Sequence, residues 1–143
     1  MSEGNGRKPP LRGYDRLWIF RRSLAALNAV FELSEKFPEK EAEKLTHPIR
    51  QSAFWVSLFI IRAWVRRRKV RQALKDLREA SRKALYISLK VGQARELGYI
   101  SERQYDRIHK LYFGLAFRLA GITREPKLWK RLVVRFETPA DKE

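Results

Sequence analysis

Apolar residues recur every three or four positions through most of this chain, a spacing that predicts helices. Leu17, Phe20, Leu24, Leu27 and Phe31 form the first stripe and predict a helix over 15–36. Phe37-Pro38 closes it, because the residue before a proline disfavours the α conformation. A charged connector over 39–44 follows. Thr46 is the expected N-cap of a second helix over 46–68, with Pro48 tolerated in its first turn. Ile49, Ala53, Val56, Ile60 and Ala63 line one side of that helix, and Phe54, Leu58 and Ile61 line another. A third helix is predicted over 70–97, with Val70, Ala73, Leu77, Ala80, Ala84, Ser88, Val91 and Ala94 inward. Many of these are small, which permits close helix packing, and Gly98 suits the position just past the end. Neither glycine nor proline stands at Arg68-Lys69, so pattern alone leaves open whether the second and third helices break there.

Ser101-Glu102-Arg103-Gln104 has the spacing of a capping box and opens a fourth helix. Its stripe is Tyr105, Ile108, Leu111, Leu115 and Leu119, and Gly121 is its expected end. No stretch alternates with period two, so the expected fold is all-α. Four amphipathic helices with short connectors over 14–122 predict an up-down four-helix bundle. Residues 1–13 read as a flexible basic arm. The tail over 123–143 mixes apolar and basic residues from Leu128 to Phe136, and its pattern fits a helix, a strand or a segment ordered by a partner.

Composition sharpens the picture. Among 143 residues, 32 Lys+Arg face 16 Asp+Glu, a formal charge of +16. The chain is 44% hydrophobic, so it has the means to fold and is not a disordered basic tail. It has no cysteine, which excludes disulfides, thiol catalysis and cysteine-ligated zinc and suits a reducing cytoplasm. The basic N-terminal segment has no apolar core of the kind a secretory signal needs. Ala53 to Val65 is strongly apolar, with only Ser57 and Arg62 polar. It falls short of the roughly 20 residues a spanning helix needs, so no membrane is expected as a partner. A helix apolar on two sides is more simply buried on two sides, one against its own chain and one against a second subunit.

The charge is concentrated. Arg66-Arg67-Arg68-Lys69-Val70-Arg71 leads into the third predicted helix, and the spacing of Arg67, Arg71, Lys75, Arg78 and Arg82 puts them on one side of an α-helix. Nine basic residues lie between Arg66 and Lys83, against only Asp76 and Glu79. Like charges at helical spacing repel, so the stripe points to an acidic partner, of which nucleic acid is the commonest. Arginine predominates, and its planar fork grips phosphate bidentately. Arg66, Arg67, Arg68, Lys69, Arg71, Lys75, Arg78 and Arg82 are therefore the candidate phosphate-binding residues. Arg7, Lys8 and Arg12, Arg21-Arg22, and Lys127, Lys130, Arg131 and Arg135 extend the patch. Trp129 either stacks on an exposed base or packs back on the helices. No zinc finger, RRM or KH signature appears, so recognition is expected to follow backbone and shape.

Catalytic chemistry has little material. Asp106-x-x-His109 has the spacing of one arm of a di-iron site, but its second arm and further inward carboxylates are missing. It reads as a solvated helix face. The phosphate-loop pattern is absent, and no serine has a histidine nearby in sequence. No catalytic residue, metal or cofactor is expected.

Phe37-Pro38, Leu45-Thr46-x-x-Ile49-Arg50, the apolar second helix and Leu97-Gly98-Tyr99-Ile100-Ser101 together resemble a family of small four-helix-bundle proteins. That family takes in the proteins encoded in intervening sequences of large-subunit ribosomal RNA genes. It also takes in the accessory variability determinant, Avd, of diversity-generating retroelements. The resemblance covers roughly residues 14–121. It implies a homopentamer with a positively charged outer surface, which would place the outer side of the second helix, Phe54, Trp55, Leu58, Phe59 and Ile61, at a subunit interface. For the retroelement branch it implies template RNA and a reverse transcriptase as partners in mutagenic copying; DNA is a further candidate ligand for the basic stripe. Where the intervening-sequence branch carries an Asn-Ile-Ala-Glu-Gly-like segment, this chain reads Ile60-Ile61-Arg62-Ala63-Trp64. That departure points towards a more basic, nucleic-acid-handling protein. A structural protein of the intervening-sequence type and a peripheral membrane protein are the other readings of the same residues.

Overall fold

The computed structural model describes residues 13–137. Among them the fold is all-helical, with no strand. The arm over 1–13 lies, apart from Gly13, outside the described residues. A short 3-10 turn, Tyr14–Arg16, leads into α1, Trp18–Ser34. A 3-10 turn, Glu39–Glu41, and a π turn, Ala42–Thr46, carry the chain to α2, His47–Val65. Then come α3, Val70–Glu96, α4, Glu102–Arg124, and α5, Pro126–Phe136.

In cyclic order α1 packs on α2, α2 on α3, α3 on α4 and α4 on α1, and α5 lies against α3 and α4. Buried serines report the registers. Ser23 and Ser57 share a hydrogen bond of 2.9 Å between α1 and α2. Arg50 Nε donates to Ser34 Oγ at 2.7 Å further along the same pair, so the two helices run antiparallel. Ser81 Oγ donates to the Ala116 carbonyl at 3.0 Å, and Ser88 Oγ and His109 Nδ1 are hydrogen-bonded at 2.5 Å, so α3 and α4 are antiparallel too. Each of these hydroxyls has a partner, so its burial carries little penalty.

The inward sides of α2 and α3 are those the periodicity predicts. Ile49, Ala53, Val56, Ile60 and Ala63 are fully buried, as are Ala73, Leu77, Ala80, Ala84, Val91 and Ala94. Burying each large aliphatic side chain contributes about 1.5–3 kcal/mol. The first stripe is shifted from expectation. Leu17 and Phe20 are buried, but Ile19, Ala26, Val30 and Leu33 complete the inward face while Leu24 is 41% exposed. Leu27 is half-buried, and Phe31 lies on the α2 side of α1, where it meets Phe54 edge-on at 5.3 Å. With two apolar sides on one helix, pattern counting chose the one with the larger residues.

The helix ends follow local chemistry in two places and tertiary packing elsewhere. The capping box forms in full: Gln104 N donates to Ser101 Oγ at 3.1 Å and Ser101 N to Gln104 Oε1 at 2.8 Å. Gly98, at φ +81, closes α3 with Tyr99 N reaching the Ala94 carbonyl and Gly98 N the Arg95 carbonyl. Thr46, expected as an N-cap, is itself in the α conformation and its side chain makes no cap bond, because the preceding π turn already supplies helical backbone. Gly121 does not end α4, which runs on to Arg124; Leu119 and Ile122 are buried on either side of it and hold the helix past a weak residue. The tail is helical from Pro126 to Phe136.

Candidate nucleic-acid interface

The helices do break at the arginine run. α2 ends at Val65, and Arg66–Lys69 form a corner that returns the chain into α3. With no glycine or proline there, side chains close the turn. The Trp64 carbonyl accepts from Arg67 N at 3.0 Å and from Arg67 Nη1 at 3.1 Å. The Arg67 carbonyl accepts from the indole N–H of Trp129 at 3.1 Å. Trp129 is fully buried and meets Trp64 edge-on, so it packs back on the helices. Gly13, at φ +91, lies flat against the same cluster: a Cβ there would sit 2.4 Å from Trp64 Cζ2.

The corner takes up three of the candidate arginines. Arg66 Nη2 donates to both carboxylate oxygens of Asp76, at 3.0 and 3.1 Å, and Arg62 Nε lies 3.6 Å from the same group. The Asp76 side chain is only 5% exposed, so this pair is part of the fold. Arg67 stacks over Trp64 and its Nε donates to Glu137 at 2.8 Å. Arg68 meets the same carboxylate at 2.7 Å. Arg67 therefore stands in the corner and not in the row on α3.

The remaining candidates point outward. Lys69, Arg71, Lys75, Arg78 and Arg82 are exposed. Arg82 pairs with Glu79 one turn back. From Arg71 to Arg82 the spacing of four, three and four residues makes one ridge along α3. At the same end of the molecule the outer face of α5 presents Lys127, Lys130, Arg131 and Arg135, all exposed, with Pro126 and Val134 the exposed uncharged residues of that helix. Arg124 at the end of α4 adjoins them. Arg21 and Arg22 are exposed on α1, and the Arg22 and Arg118 guanidiniums lie at 5.0 and 5.2 Å from the Trp18 ring. Arg7, Lys8 and Arg12 lie outside the described residues.

Two other surfaces flank this charge. The outer side of α2 is apolar: Phe54, Trp55, Leu58 and Val65 are exposed, Phe59 and Ile61 half-buried. His47, Gln51 and Arg62 are the exposed polar residues along it. The second surface lies outside the inward stripes. Tyr105, His109, Phe113 and Phe117 follow one another every four residues on α4. Tyr105, His109 and Phe113 stack in succession, each step 5.2 Å between ring centres. The i, i+4 spacing of four aromatic rings was the signal available.

Other chemistry is sparse. Ser88 and His109 come together across α3 and α4, which linear distance concealed, but Ser88 is buried and among the described residues no carboxylate is bonded to the imidazole. His109 is half-buried and bonded to α3 through Ser88, while Asp106 beside it is exposed. Among the described residues no cluster of histidines and carboxylates is arranged to hold a metal. No helix among them is long and apolar enough to cross a membrane. No protein-family model matches the chain, and no curated protein is significantly similar to it.

Proposed function

We propose that this chain is a non-catalytic nucleic-acid-binding scaffold built on an up-down four-helix bundle. The observation that carries the reading is the ridge Arg71, Lys75, Arg78 and Arg82, in which Glu79 pairs with Arg82 and which the basic face of α5 continues at one end. Cations held in a row on a rigid helix exchange condensed counterions for phosphates, which makes binding strong and salt-dependent. The uncovered apolar side of α2, with Phe54, Trp55, Leu58, Phe59 and Ile61, suits contact between copies of the chain. The resemblance to the retroelement accessory proteins makes that assembly a homopentamer in the cytoplasm. It makes the partners RNA and a reverse transcriptase, with the scaffold supporting copying of the RNA.

Fluorescence anisotropy with a structured RNA, a single-stranded DNA and a duplex DNA, each titrated across salt, tests the reading. Submicromolar binding with a steep salt slope is expected. Reversing Arg71, Lys75, Arg78 and Arg82 to Glu should abolish it while far-ultraviolet circular dichroism stays unchanged. A milder variant, with all four changed to Gln, should lower the slope of log K against log salt by about 3 for a single strand. Absence of binding at low salt, or full binding by the reversed variant, overturns the proposal.

A further inference from the structure

The aromatic ladder on α4 and the basic ridge on α3 lie side by side. With Ser81 opposite Ala116 and Ser88 opposite His109, Arg78 and Arg82 fall level with Phe117, and Leu85 falls level with Phe113. Phe113 is 49% exposed and Phe117 69% exposed. The inner end of the ladder is anchored. The Arg95 guanidinium sits 4.0 Å from the Tyr105 ring, His109 is tied to Ser88, and Phe113 rests on the His109 ring at an interplanar angle of 23°. Phe113 thus stands on a fixed base, which reduces the ordering cost of binding, and Phe117 follows it one turn on.

We propose that this face is a stacking platform for single-stranded nucleic acid, in which Phe113 and Phe117 take unpaired bases while Arg78 and Arg82 hold the adjoining phosphates. The proposal rests on the nucleic-acid reading above and names the strand class it serves. Exposed rings beside a cationic row are the recurring chemistry of sequence-tolerant single-strand binding, because every base has a π-face and a duplex keeps its bases stacked inside. Charge argues against a second copy of the chain as the occupant. Arg78 and Arg82 stand beside the rings, so another +16 chain would meet like charge. The outer side of α2 carries a single exposed arginine, Arg62, which lies 3.6 Å from Asp76, and is the better contact between copies. Both rings are at least about half exposed, so replacing them removes little core packing.

The test compares the full chain with a Phe113→Ala/Phe117→Ala double variant and a Phe117→Leu variant. The probes are an unstructured RNA of about 20 nucleotides, ample for such a site, and the same sequence as a duplex. The double variant should bind the single strand about fivefold to hundredfold more weakly, the scale of lost base stacks, with duplex affinity within twofold of the parent. Phe117→Leu keeps apolar bulk without a ring and should show the same selective loss, in smaller measure. Unchanged single-strand affinity in the double variant overturns the platform while leaving the nucleic-acid reading standing. Equal loss on both probes, or a smaller assembly by light scattering, overturns it by making the face a contact of another kind. Failure of the parent chain to bind either probe at low salt overturns the nucleic-acid reading and this inference with it.

Discussion

Asp76 decides how the arginine run is used. Its buried carboxylate takes two hydrogen bonds from Arg66, so reversing Arg66 damages the fold, whereas reversing Arg78 does not. Asp76→Ala is expected to lower stability by about 2 kcal/mol, because it leaves a partly buried guanidinium without its partner, and denaturant titration measures it. Tyr112 is the opposite case. Its ring is fully buried, its hydroxyl has no hydrogen-bond partner among the described residues, and burial pushes its pKa up. The folded state keeps the phenol neutral, so stability falls as pH rises above the ordinary value near 10, where the unfolded chain ionises. Tyr112→Phe should leave stability at neutral pH unchanged or raise it by up to about 1 kcal/mol, and should remove that alkaline loss. Melting temperatures at neutral pH and above pH ~10 distinguish the two proteins. The excess of cations was legible in the sequence. Which arginines serve the fold was not, since Glu137 stands 70 residues from Arg67 along the chain.

Element ends divide into those written locally and those imposed by neighbours. Ser101 and Gln104 satisfy each other across one turn, so the start of α4 was readable from four residues. Ser101→Ala should cost about 1 kcal/mol in thermal or chemical unfolding. α5 is different. Its pattern admitted three conformations, and the helix is selected by what it docks on: Trp129 against Trp64 and the Arg67 carbonyl, and the Phe136 carbonyl accepting from Arg16 at 2.6 Å. Trp129→Ala is expected to cost about 3–5 kcal/mol of that docking. Amide exchange should then accelerate over Pro126–Phe136 while the middle of α4 stays protected. Equal acceleration throughout would mean that α5 is integral to one cooperative unit.

For the whole molecule, the distribution of surfaces matters more than any single residue. One side of the helical core is apolar along α2, and another joins a basic ridge to an aromatic ladder. If copies meet through α2, Trp55→Glu/Leu58→Glu should reduce the assembly to monomers in light scattering or native mass spectrometry, with helical content retained. An unchanged mass would remove α2 from the interface. The same variant should bind nucleic acid less tightly through loss of multivalency, without altering the intrinsic site.

Taken alone, the sequence determined the helical character of the chain, the inward faces of α2 and α3, the two helix ends governed by Gly98 and Ser101, and the surplus of positive charge. These follow from spacing within one or two turns, where covalent geometry leaves few choices. Tertiary structure decided the rest. It chose between the two apolar sides of α1, carried α4 past Gly121, turned the chain at Arg66–Lys69, and folded α5 onto Trp64. It also sorted the arginines into those that hold a buried or distant carboxylate and those left facing solvent. The physical reason is common to all of these. Burial and ion pairing depend on which groups meet across helices, and residues such as Arg67 and Glu137, or Ser88 and His109, acquire their roles only when packing brings them within a few ångströms.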